Sequence, residues 1–170
     1  GSLTLAISQS GETADTLAAA RLARSQGSRL LALTNVVGST LSREADDVLY
    51  TRAGPEMSVA STKAYMAMLI GQYLLALHIG SAKGVLEEEL VERIMRGLHA
   101  LPADIETIIE NDEEIVTAAR SIASAEDLYF IGRGLDYAVA MEGSLKLKEI
   151  SYLHSEAMPA GELKHGTLAL

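Results

Sequence analysis

The sequence contains no cysteine, which excludes disulfide bonds and any chemistry carried by a thiol. This composition fits a cytoplasmic protein. Basic side chains are also scarce, with 14 Lys and Arg against 23 Asp and Glu and a net charge of −9 at pH 7. Surfaces for nucleic acid or for an anionic membrane need clustered Lys and Arg, so we expect neither partner. A bound phosphate would have to be held by a few local groups.

The chain also lacks a long hydrophobic run and a pair of histidines at metal-binding spacing. The most apolar stretch, Ala64 to Ile79, is shorter than the ~20 residues of a membrane span and predicts a buried core helix. His78, His99 and His154 are expected in helices with structural roles, and we expect neither a metal site nor a cofactor. With 48% hydrophobic residues among 170, the chain is predicted to be globular.

What the sequence does contain is a repeated plan of apolar strand, glycine turn and helix. Leu3, Leu5 and Ile7 alternate with smaller or polar residues, as a strand does, and helical spacing begins at Ala14. The same plan returns after residue 127, so we predict an α/β fold with a parallel sheet and many helices. The further expected elements are strands at 30–34, 48–50, 128–131 and 168–170, a short helix near 41–45, a core helix at 62–79 and three helices within 90–122.

The segment from Ile7 to Asp15 is the strongest functional signal, because it puts three hydroxyls and a glycine between a strand and a helix. At a helix N-terminus the first amides lack partners and the peptide dipoles leave partial positive charge, which stabilises a phosphate. Glu12 and Asp15 oppose this interpretation unless their carboxylates point elsewhere, and the segment also suits an ordinary capped helix. The proposed donors are the hydroxyls of Ser8, Ser10 and Thr13 and the side-chain amide of Gln9.

A second hydroxyl cluster, within residues 53–63, precedes the long apolar helix. Turns at the carboxyl ends of parallel strands face one crevice, which is the usual ligand position in such sheets. Ser61 and Thr62 therefore either contact a ligand or serve only as N-caps of the helix.

Charged residues lie at helical spacing in the helix that follows Gly134. Glu142 and Lys146 are four residues apart and Lys146 and Glu149 three, so a solvated, salt-bridged face is one explanation. The other is catalytic: a desolvated carboxylate carries a proton between adjacent carbons as a general base, and Lys146 stabilises an enolate oxygen. His165 lies in a loop bounded by glycines, where a histidine suits acid–base chemistry near neutral pH.

Four segments together carry a resemblance to a known family. SQSGETADT, TNVVGS, AGPEMSVASTKAY and EGSLKLKEISYLHSEAMPAGELKHGTLAL resemble the glutamine–fructose-6-phosphate aminotransferase (isomerizing), or glucosamine-6-phosphate synthase, family. The resemblance implies the three-layer αβα fold of SIS (sugar isomerase) domains, with fructose 6-phosphate and glucosamine 6-phosphate as ligands. It also implies a homodimer and a glutaminase domain in the parent chain.

The resemblance assigns roles to individual residues. It implies that Glu149 moves the proton between C1 and C2 of the sugar and that Lys146 assists. It implies that His165 reaches the sugar of a neighbouring subunit and opens its ring. The phosphate and sugar contacts that it implies are Ser8, Gln9, Ser10, Thr13, Val59 and Ser61.

The resemblance also implies that this chain is a fragment. Residues 1–85 correspond to the later part of a first SIS domain, and residues 86–170 to linking helices and the opening part of a second. The family's glutaminase cysteine is absent, so we expect the chain alone to be catalytically impaired. Its two parts could form one permuted sheet or pack on a second chain. The alternatives are a SIS-type phosphosugar isomerase or deglycase and a non-catalytic sugar-phosphate-sensing module.

Overall fold

A computed structural model describes residues 1–169 and divides into two compact units, Gly1–Ala103 and Asp104–Leu170. The described strands form two separate sheets, so the two parts do not build one permuted sheet. The elements are β1 (Leu3–Ser8), α1 (Ala14–Ser25), β2 (Arg29–Thr34), α2 (Thr40–Glu44), β3 (Asp47–Tyr50), α3 (Lys63–Ala82), α4 (Glu88–Glu110), α5 (Glu113–Ile122), β4 (Asp127–Gly132), α6 (Leu135–Ser151) and β5 (His154–Pro159).

The first unit is a three-layer αβα sandwich around a parallel sheet. The strand order is β1-β2-β3, and all pairings are parallel. Leu30 and Ala32 of β2 belong to the core cluster that includes residues of α1 and α2, whereas Leu33 meets Gly71 of α3. Alternate residues of a strand point to opposite faces, so α1 and α2 cover one face and α3 the other. The predicted α/β fold with a parallel sheet is confirmed.

Helix α3 extends past the predicted end at Gly80, because a glycine further along terminates it. Gly84 has φ +65°. The Gly84 amide donates to the Ser81 carbonyl at 2.9 Å and the Val85 amide to the Gly80 carbonyl at 3.0 Å. These two bonds form the Schellman motif, which satisfies the last carbonyls of a helix. The resulting 20-residue helix could cross a membrane by length and composition alone.

The prediction that α3 is a buried core helix is wrong. Of its residues only Ala64 and Leu77 are buried, because one face packs on the sheet while the other stays exposed. Met66 and Tyr73 on the open side are 38% and 51% exposed. Its sequence is apolar on all sides, so periodicity could not tell which face is covered.

The prediction of three helices between residues 90 and 122 is also wrong, since α4 runs without a break through Pro102. Proline removes one amide donor and disfavours the helical conformation of the residue before it, so a helix boundary was expected. Helix α4 continues despite the missing amide of Pro102, so the residues expected to form a separate second helix belong to the same helix. Only α4 and α5 lie in this part of the described chain.

The second unit repeats the strand–helix–strand plan with β4, α6 and β5. The parallel pairing sets Asp127 beside His154 and Gly132 beside Pro159. Strand β5 was not predicted, and His154, expected in a helix, is its first residue. The predicted strand at 168–170 is wrong at residues 168 and 169, which lie in a 3₁₀ turn, while residue 170 lies outside the described residues.

Two buried serines join α6 to β5. Ser144 and Ser155 are 2% and 1% exposed, and their hydroxyl oxygens lie 3.0 Å apart. The Ser144 hydroxyl is also 3.1 Å from the Ser155 carbonyl, and the Ser155 hydroxyl donates to the Ser144 carbonyl at 2.9 Å. The pair therefore satisfies its own hydrogen-bonding groups inside the unit.

Replacing Ser144 by Ala is expected to lower the free energy of unfolding by about 1–3 kcal/mol, because it leaves buried groups on Ser155 with fewer partners. Chemical denaturation followed by circular dichroism measures the change. Ser121→Ala is the control, since its hydroxyl lies on the surface and donates to the Ala118 carbonyl of its own helix. Equal effects of the two substitutions would contradict the prediction.

Candidate functional site

The turn between β1 and α1 is built by its own hydroxyls. The Ser8 hydroxyl, which is buried, accepts from the Gly11 amide at 3.0 Å and lies 2.9 Å from the Thr13 hydroxyl. The Ser10 hydroxyl accepts from the Glu12 amide at 3.2 Å, so its own hydrogen can be donated outward. The structure thus brings together the predicted residues 8, 9, 10 and 13, and Ser8 shapes the turn more than it faces solvent.

The amide end of α1 is open. Thr13 is the N-cap, but its side chain does not cap the helix. Within residues 1–169 no acceptor contacts the amides of Ala14, Asp15 and Thr16. Ala14 and Asp15 are exposed, so the turn is not sealed inside the protein. The alternative of an ordinary helix capped by Thr13 is therefore not what forms, and an anion can reach these amides.

Glu12, which was expected either to repel an anion or to point elsewhere, points elsewhere. Its carboxylate accepts from the Thr40 amide at the start of α2, at 2.6 Å. The hydrogen bonds from Thr40, together with the nearby Arg43, lower the pKa of Glu12 below its ordinary value. The carboxylate is thus ionised at neutral pH and is engaged by α2 rather than by the first turn of α1.

Asn35 is a residue that the sequence interpretation missed as a positioning group. Its main-chain amide donates to the Gln9 carbonyl at 3.1 Å, and its side-chain nitrogen donates to the Gly54 carbonyl at 2.7 Å. Its side-chain oxygen accepts from the Thr51 hydroxyl and the Ala53 amide, both at 2.9 Å. Asn35 therefore links the turn between β1 and α1 to the loop after β3. The signal in the sequence was an asparagine directly after the buried strand β2.

The loop before α3 holds the predicted residues 59 and 61 differently from one another. The Glu56 carboxylate accepts from the Ala64 amide at 3.3 Å and from the Ser61 hydroxyl at 3.4 Å. Thr62 is the N-cap residue of α3, as one of the two alternatives has it, but its side chain makes no capping bond, and Glu56 accepts from the Ala64 amide instead. Val59 is 97% exposed and is free to contact a ligand.

The charged residues of α6 form a partly covered triad. The Lys146 ammonium is 2.5 Å from the Glu149 carboxylate and 3.6 Å from that of Glu142. The Lys146 and Glu149 side chains are only 20% and 30% exposed, against 69% and 61% for the surface pair of Arg96 and Glu92. The salt bridges that one explanation requires are therefore present, on a face that is less exposed than that of the surface pair.

Glu149 keeps Lys146 charged. The hydrogen bond from Lys146 to Glu149 raises the pKa of Lys146 above its ordinary value of 10.5, and the charge of Glu142 adds to the shift. While the carboxylates are ionised, the stabilisation that comes with this shift is fully present below the ordinary pKa of lysine and is lost as the pH rises through the raised pKa. Lys146 is therefore a cation at neutral pH, suited to stabilise negative charge and not to remove a proton.

His165 lies in the irregular segment after β5. Its Nδ1 atom is 2.8 Å from the Glu162 carboxylate, and both side chains are exposed. A carboxylate on Nδ1 places the proton there and leaves Nε2 free to accept one. His165, Lys146 and Glu149 belong to the second unit, whereas the phosphate turn belongs to the first.

Two of the cavities that adjoin the first sheet include Tyr50, at the carboxyl end of β3. One, of about 370 Å³, is lined by Asn35, Val37, Arg52 and Pro55 among others. The other, of about 320 Å³, lies between α3 and the sheet and has a mostly apolar lining that also includes Thr51 and His78. Of these two, the first has the more polar lining and lies at the edge where ligands bind in parallel sheets.

The sequence profile of the SIS domain matches residues 1–78 and 121–170. The chain is 60% identical over 168 residues to a glutamine–fructose-6-phosphate aminotransferase (isomerizing) of Caldanaerobacter subterraneus subsp. tengcongensis, covering 99% of this chain and 28% of that protein. It is 50% identical over 170 residues to the protein of that name from Methanosarcina mazei, covering all of this chain and 28% of that protein.

Solved structures give the same picture. The C-terminal domain of glucosamine-fructose-6-phosphate aminotransferase from Francisella tularensis superposes with a TM-score of 0.93 at 42% identity, over 98% of this chain and 48% of that one. The chain thus spans less than a third of the length of the curated relatives it matches.

Proposed function

The chain belongs to the SIS domain family, and from this premise we propose that it is the sugar-phosphate-binding isomerase region of a glutamine–fructose-6-phosphate aminotransferase. The observation that carries the proposal is the open amide end of α1 beside the hydroxyls of Ser10 and Thr13. The parent protein would convert fructose 6-phosphate and glutamine into glucosamine 6-phosphate and glutamate.

Phosphate binding would rest on amides and hydroxyls without a lysine. A phosphate dianion placed ahead of Ala14 meets three unpartnered amides and the positive end of a 12-residue helix. Ser10 and Thr13 would donate their hydroxyl protons, with the Gln9 side chain at the rim. On the second loop, Val59 and Ser61 would contact the sugar, and Ser8 would hold the turn in shape.

Isomerisation would use the partly covered triad of α6. Glu149 as a carboxylate would take a proton from one sugar carbon and return it to its neighbour, which moves the carbonyl between C2 and C1. Lys146, held as a cation, would stabilise the negative charge that develops on the enolate oxygen. The short contact between the two side chains supports this division of roles, since it raises the pKa of Lys146 and keeps that side chain cationic.

His165 would act on the sugar of a neighbouring subunit and open its ring, with Glu162 fixing the tautomer of its imidazole. This role requires two subunits, and we propose a homodimer. We assign residues 1–85 to the later part of a first SIS domain and residues 86–170 to linking helices and the opening part of a second. The parent would be a cytoplasmic protein whose glutaminase domain supplies ammonia.

Replacing both Ser10 and Thr13 by Ala is expected to weaken fructose 6-phosphate binding about 100-fold, because two hydrogen bonds to a charged ligand are lost. Isothermal titration calorimetry on the full-length protein measures the affinity. Ser25→Ala is the control, since its hydroxyl contacts the Leu22 carbonyl at the other end of α1. An unchanged affinity in the double variant would overturn the proposed phosphate site.

A simple phosphosugar isomerase is the second candidate, because the phosphate turn and the acid–base pair serve that reaction equally well. Product analysis separates the two. Glucosamine 6-phosphate formed from fructose 6-phosphate and an ammonia source supports the aminotransferase, and glucose 6-phosphate as the only product supports the isomerase.

A further inference from the structure

Glu12 lies between the two residues whose hydroxyls would bind phosphate, yet its own side chain turns to α2. Its backbone amide donates to the Ser10 hydroxyl at 3.2 Å, and its carboxylate accepts from the Thr40 amide at 2.6 Å. One end of this residue therefore orients Ser10, while the other end is fixed to a different helix. Thr13 follows directly in the chain.

The element that Glu12 contacts is firmly packed. Leu41 of α2 is fully buried within the core cluster, and Ser39, the N-cap of α2, is 3% exposed. The Gly11 carbonyl accepts from the Leu41 amide at 3.0 Å. The phosphate turn is thus tied to α2 by one main-chain bond from Gly11 and one side-chain bond from Glu12. The second bond holds the part of the turn nearest to Ser10 and Thr13.

We propose that Glu12 is a positioning residue for sugar-phosphate binding, whose carboxylate fixes the phosphate turn to the N-terminus of α2. The inference rests on the proposed function and adds to it a residue that touches no ligand. Without the bond to Thr40, the Ser10 hydroxyl and the first amides of α1 would sample several arrangements. Part of the binding free energy would then be spent on ordering them.

Two other roles for Glu12 make different predictions. If its carboxylate only stabilised the fold, its removal would lower the melting temperature and leave phosphate affinity unchanged. If instead it acted on the bound phosphate through its charge, replacement by Gln would strengthen binding by removing repulsion. If Glu12 has a positioning role, a side chain that is uncharged but still accepts a hydrogen bond should keep phosphate affinity. A side chain that cannot accept one should lower it.

The experiment compares Glu12→Ala and Glu12→Gln in the full-length protein, with inorganic phosphate and fructose 6-phosphate as probes. For Glu12→Ala we expect the dissociation constant of both probes to rise about tenfold, the scale of one lost charge-assisted hydrogen bond. The KM for fructose 6-phosphate should rise with it, while kcat stays within about twofold, because the reacting groups lie on α6. Glu12→Gln keeps an oxygen acceptor and should restore binding to within about threefold.

Thr40→Pro tests the same bond from its other side. Thr40 is the first residue of α2, where proline is tolerated because its missing amide has no helical partner. This variant removes the donor to Glu12 without altering the turn, so its effect on affinity should match that of Glu12→Ala. Combining Thr40→Pro with Glu12→Ala should weaken binding little further, since both substitutions break the same hydrogen bond.

Glu44→Ala is the matched control at the far end of α2. Its carboxylate pairs with Arg21 at 2.6 Å on the surface, so its loss loosens the same helix away from the turn. We expect no change in affinity for either probe. A Glu12→Ala variant that loses thermal stability but binds normally would overturn the inference alone, as would tighter binding by Glu12→Gln. A wild-type protein that binds neither probe would overturn the proposed function, and this inference with it.

Discussion

On the proposed mechanism, replacing Glu149 by Gln is expected to slow the isomerisation of fructose 6-phosphate by the full-length protein about 10³-fold, because an amide cannot take up a proton as a carboxylate base does. The substitution keeps the shape of the side chain and leaves the phosphate turn intact. Binding of fructose 6-phosphate should therefore change little, and the loss should fall on kcat. The readouts are the rate of glucose 6-phosphate formation and the exchange of sugar C–H with deuterated water, followed by NMR.

Glu142→Gln is the matched control for this prediction. Glu142 lies four residues before Lys146, with its carboxylate 3.6 Å from the ammonium, whereas Glu149 lies at 2.5 Å. Removing the charge of Glu142 leaves the shorter ion pair in place, so the rate should fall by less than about tenfold. Equal losses for the two variants would show that the charge of the triad matters and that Glu149 has no special role in proton transfer.

Replacing Gly11 by Ala is expected to abolish sugar-phosphate binding and to destabilise the protein. Gly11 has φ +65°, which side chains other than glycine rarely adopt, and a Cβ atom there would lie 2.2 Å from the Ser39 hydroxyl oxygen and 2.6 Å from its Cβ. The turn and α2 would have to separate. Moving the turn takes the Ser10 and Thr13 hydroxyls away from the phosphate, so affinity should fall at least about 100-fold, the scale of two lost charge-assisted hydrogen bonds. Calorimetry and thermal melting measure the two effects.

Gly27→Ala separates the steric clash from the backbone strain. Gly27 also has a positive φ, of +85°, but a Cβ there would meet nothing within 4 Å. Gly27→Ala should lower the free energy of unfolding by only about 1–2 kcal/mol, the cost of holding alanine in the left-handed conformation. It should leave binding unchanged. Adding Ser39→Gly to Gly11→Ala removes the clashing atoms at a few tenths of a kcal/mol in helix capping. Failure of this pair to recover binding would show that the clash is not the cause.

Periodicity predicted those parts of the fold whose burial is one-sided or complete. The alternation in β1 predicted a strand, although the buried residues of β1 are Ala6 and Ser8 and not the larger apolar ones. The continuous apolar run of β2 is buried as a strand of a parallel sheet with two covered faces requires. The turn between β1 and α1 was predictable too, since a strand, a glycine and a helix start can be recognised within nine residues. In each case the signal depends only on neighbours in the chain.

The errors arose where a distant partner decides the structure. Strand β5 has the sequence HSEAMP, whose polar residues form a strand because β4 lies beside it. Glu56 caps α3 from several residues upstream, and Glu12 is engaged by a helix 28 residues away. Pro102 sits inside α4 although a local rule places a boundary there. None of these contacts leaves a local pattern, so sequence spacing could not identify them.

The side chain of Asn35 has a consequence for how this protein can be altered. Because the residue bonds to the first turn through its main chain and to residues 51, 53 and 54 through its amide group, the two loops share one anchor. A change of length in either loop would move Asn35 and would therefore also displace the other loop. Substrate preference in such a pocket cannot be redesigned one loop at a time, and variants must be sought as compensating pairs.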